Sequence, residues 1–323
     1  TAAVARSTSR AMIVADLPFG TYEDTVEHLR FLLRGAIRRQ LVSDVPLATL
    51  LSGGLDSSVI TAVAARAYQE EGRDALETYS FDYTDNDKYF HASSFQPDAD
   101  WPWVERMRQE FSTRHTVLTC PIPTLVEELD EATLAKDMPG MGDMDSSLLW
   151  FCRQIRRRNT VVISGECSDE IFGGYPWFHR PDMLASDTFP WCMDMSARTE
   201  VLRPEVARAL DLEGYARRRC QQSTAETPRL EGESGEEARR REIAWLNLNW
   251  FMTNLLDRKD RMSMYSGLEV RVPFCDHQLV EYVWNIPWSM KSRGGARKQV
   301  LRDAAKGLLP EDVRNRPKSP YPK

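Results

Sequence analysis

Apolar residues recur at helical spacing between Asp24 and Gln40, where Val26, Leu29, Leu33, Ala36 and Ile37 make one stripe behind an aspartate placed to cap it. The run "VPLATLLS" (45–52) is instead continuously apolar and of strand length, whereas "VITAVAARA" (59–67) is rich enough in alanine to favour a helix. The same alternation continues along the chain. "TYSFDY" (78–83), "HTVL" (115–118) and "TVVIS" (160–164) read as strands, with helices over Val104–Phe111, Pro123–Ala135 and Ser146–Ile155. Strands alternating with helices predict an α/β fold, a doubly wound parallel sheet. From about His179 to Arg240 the pattern weakens, and "STAETPRLEGESGEEARRR" carries almost no large apolar side chain, so an exposed or partly disordered excursion is expected over 179–240. Trp245, Leu248, Phe251, Leu255 and Leu256 then restore an amphipathic helix, which makes the C-terminal part largely helical.

Composition narrows the classes. The 323 residues are 42% hydrophobic and 28% charged, enough for one large domain or two modest ones. The formal net charge is -6, and the arginine triplets 156–158, 217–219 and 239–241 are separated by acidic stretches, which argues against a nucleic-acid partner. Six cysteines without a CxxC pair indicate neither a zinc ribbon nor a disulfide framework, and a reducing cytoplasm is the expected home. No long uncharged apolar segment occurs, so no membrane association is expected.

The chemistry gathers at "LLSGGLDSS" (50–58), which follows a predicted strand and opens a predicted helix. Glycines in such a turn can serve only the turn itself. Here they precede a helix N-terminus, whose unpaired N–H groups and positive dipole end attract anions. Ser52, Ser57 and Ser58 add hydroxyl donors, and Asp56 adds a carboxylate that suits a hard cation such as magnesium. A carboxylate among phosphate donors is intelligible when a metal neutralises it, so a polyphosphate is the expected ligand. The stretch is neither a Walker A loop nor GxGxxG. A second segment, "VVISGECSDEIFGGY" (161–175), repeats the design, with Glu166, Asp169 and Glu170 gathered after a strand, where doubly wound sheets bind ligands.

SGGxDS resembles the pyrophosphate loop of enzymes that cleave ATP between its α and β phosphates. Together with "ISGECSDEIFGGY", "DRMSMYSGLEVRVPFCDHQLVEYVWNIP" and "RKQVLRDAAKGLLPEDVRNRPKSPYPK", it makes residues 23–323 resemble the synthetase domain of glutamine-hydrolysing asparagine synthetases. The resemblance implies a sheet of the PP-loop, adenine nucleotide alpha-hydrolase-like type. It implies that Leu51, Ser52, Gly53, Gly54 and Ser57 hold the ATP phosphates, that Asp56 and Asp169 bind Mg2+, and that Ser164 and Gly165 line the nucleotide pocket. Tyr83 takes the family's adenine-contact position, Glu166 its acid for adenylate formation and amination, and Lys298 its lysine at the transferring phosphate. Read from the residues alone, Lys298 is an ordinary surface lysine on a helix that turns Val300, Leu301 and Ala304 inward. The family usually has glycine and alanine where this chain has Cys167 and Ser168.

The resemblance implies ATP-dependent amidation of aspartate to asparagine through β-aspartyl-AMP, with AMP and pyrophosphate released. Aspartate and ammonia would be the substrates and the family's glutaminase domain the partner; a homodimer is compatible with this reading. That glutaminase domain normally precedes the synthetase, and the chain, which opens on Thr1, is expected to be a fragment without it. Residues 1–22 resemble a short segment of ketopantoate hydroxymethyltransferase, in which Asp16 of "ADLPF" would be a metal ligand; in this chain it is expected to be idle. The alternatives are an amide-forming cyclase of the β-lactam synthetase or lasso-peptide type, and a nucleotide-binding partner module without turnover. The presence of Asp56, Glu166, Asp169 and Lys298 speaks against the latter.

Overall fold

The computed structural model describes residues 20–91, 98–230, 232–233 and 235–318, so Asp16 and the end of "NRPKSPYPK" lie outside the described residues. Helix α1 runs over Tyr22–Gln40, strand β1 over Leu47–Leu50 and helix α2 over Leu55–Glu70. They are followed by β2 (Glu77–Tyr83), α3 (Trp101–Phe111), β3 (Arg114–Cys120), α4 (Asp143–Arg156) and β4 (Val161–Ile163). The expected helix over Pro123–Ala135 is two short ones, Ile122–Glu127 and Leu129–Lys136.

The five strands are all parallel, in the order β3-β2-β1-β4-β5, with β5 at Glu269–Arg271. The order reverses between β1 and β4, and the crevice beyond their carboxyl ends is where sheets of this kind bind ligands. Neighbouring residues of β1 face opposite ways. Ala48 joins Leu148, Leu149, Cys152 and Ile155 of α4, with Met262 and Leu268, in one buried cluster, whereas the Thr49 hydroxyl meets that of Thr61 on α2 at 3.0 Å. Helices therefore cover both faces, and the fold is the expected α/β sheet of PP-loop type.

Contacts divide the chain into two compact units. One is formed by Glu23–Ser168, Leu255–Val280 and Leu301–Lys323 and carries the sheet; the other holds Asp169–Asn254 and Glu281–Val300. In the second unit, the stretch 179–240 contributes Leu184, Phe189, Cys220 and Ala238 to the buried residues. Trp177, Phe178, Leu184 and Ile243 form a buried cluster, and Phe189, Cys220 and Leu246 form another. Sparse aromatic residues anchor this region, so a polar average hid a core; helix Leu212–Ala225 remains largely exposed.

Candidate active site

In the sheet-bearing unit, Leu51 is buried and Gly53 and Gly54 turn the chain from β1 into α2. Gly53 sits at φ +68°, and a Cβ there would lie 2.4 Å from the Cβ of Trp103, so this turn accepts only glycine. Gly54 is the N-cap of α2 and supplies no capping side chain, which leaves the positive end of the sixteen-residue helix unscreened by its own cap. Ser57 closes the loop from within: its hydroxyl accepts from the N–H of Ser52 at 3.2 Å, meets the Ser52 hydroxyl at 3.0 Å and donates to the Gly54 carbonyl at 3.2 Å.

Beside it, Ser164 is buried at the end of β4, and Gly165 brings its backbone against α2. A Cβ at Gly165 would stand 3.0 Å from the Ser57 nitrogen and 3.3 Å from the Asp56 Cβ. The Asp56 carboxylate accepts from the Ser168 hydroxyl at 2.7 Å. Next come Cys167, at φ +73°, and Glu166. The left-handed backbone at Cys167 is one that glycine adopts freely, whereas a Cβ in that region costs about 1–2 kcal/mol. Tyr83 ends β2, its ring centroid 6.2 Å from that of Phe151.

Two charged residues of this unit were not singled out from the sequence. Lys259, on the helix Thr253–Tyr265, is 7% exposed and holds Glu166 Oε1 at 3.1 Å from its ammonium. Arg316 donates to the Ser52 carbonyl at 3.2 Å and pairs with Asp98 at 2.9 Å and Asp100 at 2.7 Å, so it braces the glycine-turn loop from the C-terminal segment. Burial raises the Asp100 pKa, with the Arg316 guanidinium opposing it. "DRKDR" contains Lys259 among four other charges, so composition could not single it out.

In the other unit, Lys298 is buried rather than superficial, contrary to its reading as a surface lysine, because its backbone turns left-handed at φ +54° and directs it to Asp169, 2.7 Å away. Gly174 makes room for that pair: a Cβ there would fall 1.8 Å from Asp169 Oδ1 and 2.5 Å from Lys298 Cε. Glu170 is buried and accepts from the Tyr175 hydroxyl at 2.6 Å; burial first, and Asp169 next, push its pKa up to about 7. Among the described residues there is no cluster of three or more His, Cys, Asp or Glu side chains fit to hold a metal alone.

The model of the asparagine synthase family matches residues 28–323. The chain belongs to that family. It is 54% identical over 303 residues to the glutamine-hydrolysing asparagine synthetase 3 of Bacillus subtilis, covering 94% of this chain and 49% of that protein. Asparagine synthetase 1 of the same organism is 25% identical over 338 residues, covering 94% and 51%, and the Homo sapiens asparagine synthetase is 24% identical over 307 residues, covering 93% and 43%. The chain thus spans about half the length of the curated relatives it matches. No helix among the described residues is long and apolar enough to cross a membrane.

Proposed function

We propose that this member of the asparagine synthase family amidates aspartate. ATP adenylates the β-carboxylate: an aspartate oxygen bonds to the α-phosphorus as the bridge to pyrophosphate breaks, and ammonia then displaces AMP to leave asparagine. The observation that carries the reading is the uncapped N-terminus of α2 behind a glycine turn at the sheet's reversal, with Gly165 pressed to within reach of the Ser57 nitrogen. Backbone N–H groups and the Ser52 and Ser57 hydroxyls bind the phosphates there, Leu51, Ser164 and Gly165 wall the nucleotide, and Tyr83 contacts the adenine.

Magnesium suits the donors present. Asp56 and Asp169 are each proposed to offer one carboxylate to an ion that takes one or two and completes its shell with phosphate and water oxygens. Bound there, the ion would neutralise phosphate charge. Lys298 offsets the charge that grows on the transferring phosphate, and Glu166 takes the proton from the attacking amine. Ammonia is proposed to come from glutamine hydrolysis in the whole protein, as the relatives' names state for them, and the reaction to run in the cytoplasm, where the six unpaired cysteines are at home. A homodimer remains part of the proposal.

The test is pyrophosphate release from ATP and magnesium with aspartate plus ammonium, against the other amino acids. Aspartate-dependent release with asparagine formed is expected; release that requires a different acceptor would move the chain to a related amide-forming cyclase. Glu166→Gln is expected to leave ATP affinity within a few-fold while lowering pyrophosphate release and asparagine formation together. Asp56→Asn and Asp169→Asn should each cost on the order of 100-fold in magnesium-dependent turnover.

A further inference from the structure

Glu166 is held unevenly. Its Oε1 lies 3.1 Å from the Lys259 ammonium, whereas its Oε2 is buried and has no hydrogen-bond partner among the described residues. A buried carboxylate oxygen without a partner forgoes the hydrogen bonds that water would give it, and a reacting group is one partner that can supply them. Lys259 is itself almost fully enclosed, and Glu166 is its one ion-pair partner among the described residues. Neighbouring charges on the same helix are otherwise engaged: Asp257 with Arg261 at 2.9 Å and with Lys136 at 3.7 Å, and Arg258 with Asp145 at 3.6 Å.

A surface pair of this kind would stabilise little, and a buried one is weak evidence for stability because desolvation offsets the attraction. What the pair does accomplish is geometric. An ammonium fixed on one oxygen limits the rotamer freedom of the glutamate and settles which oxygen is left without a partner. Cys152 on α4 feels both charges, but burial drives its thiol up to about 12, so it stays neutral and competes for neither charge.

We propose that Lys259 is a positioning residue for the amidation reaction: by holding Oε1 of Glu166 it presents Oε2 as the oxygen that takes the proton from the incoming ammonia. The proton moves from nitrogen to Oε2 as the C–N bond forms and the bond to AMP breaks; Lys259 keeps its own proton throughout. The inference rests on the role proposed for Glu166, so both residues are tested together.

The experiment measures steady-state asparagine formation from ammonium, with the KM for ATP and thermal unfolding, in Lys259→Met, Lys259→Arg, Glu166→Gln and the Lys259→Met/Glu166→Gln pair. Lys259→Met should lower kcat by about 100-fold, the scale of losing a preorganised charged contact, with the KM for ATP within a few-fold. Lys259→Arg keeps a donor on Oε1 and should recover at least ten-fold of the loss. In the pair, Lys259→Met should add no more than about a two-fold loss to that of Glu166→Gln, because residues acting as a unit are non-additive. Full turnover in Lys259→Met, or multiplicative losses in the pair, would overturn the positioning role. A fully active Glu166→Gln would instead overturn the function assigned to the glutamate. Should Lys259→Met fail to fold, the arginine variant decides: a folded Lys259→Arg as slow as Glu166→Gln contradicts positioning by charge, and one near normal supports it.

Discussion

Lys291 should make the chain more stable in alkali than at neutrality. It closes the short helix Trp288–Lys291, is 7% exposed, and shares a cleft with Arg241, Glu233, Glu237, Trp284 and Trp288. Arg241 is already matched by Glu233 at 2.7 Å, and Glu237 accepts from the Trp288 N–H at 2.7 Å, so neither carboxylate is left to the lysine alone. Burial, followed by the nearby Arg241, brings the Lys291 pKa from 10.5 down to about 7. The unfolded chain therefore binds a proton that the folded chain does not between those two pH values, and stability rises with pH across the window. The contribution is complete above the unfolded value and is lost as pH falls toward about 7. At 1.36 kcal/mol per pH unit, an interval of roughly 3.5 units corresponds to a penalty on the order of 5 kcal/mol for the fully charged side chain. Lys291→Met retains the length and apolar stem and removes the charge. The variant should exceed the parent in stability at pH 7 by up to about 4 kcal/mol, and that advantage should shrink by about 2 kcal/mol at pH 9. Urea unfolding of both proteins at the two pH values, followed by tryptophan fluorescence, measures the difference and cancels the titration of every other group. An advantage that does not change with pH, or a variant weaker at both values, would refute the reasoning.

Other consequences follow from single contacts. His115, whose Nδ1 and Nε2 each lie 2.9 Å from the hydroxyls of Thr78 and Ser80, is held by burial at about 4. Its contribution is present above the unfolded value of 6.5 and lost as pH falls toward about 4, so His115→Gln should flatten the acid limb of a stability-against-pH curve. Gly165→Ala puts a methyl against the backbone of Ser57; expect about 1–3 kcal/mol of destabilisation in urea melts and at least ten-fold weaker ATP binding by calorimetry. Gly174→Ala would drive a methyl into the Asp169–Lys298 pair, and pyrophosphate release should fall by about 100-fold while equilibrium ATP binding changes less.

The alternation of apolar runs made the first four strands and the helices between them legible, because burial imposes a period on each element locally: β1, β2, β3 and β4 fall where the runs did. The glycine turn into α2 was legible too, since Gly53, Gly54 and the start of that helix are neighbours in sequence. Strand β5 was not, because Glu269–Arg271 is three residues long and gains its identity only by pairing with β4. Polar averaging concealed the aromatic cores of the second unit, where a few rings brought together from distant positions bury enough surface to order the chain. Whether Lys298 lay on the surface, which oxygen of Glu166 was occupied, and what held the loop at Ser52 were decided by the tertiary path alone. A left-handed residue, an ion pair from Lys259 and a clasp from Arg316 each join groups far apart in the chain, and no local periodicity records the distance between them.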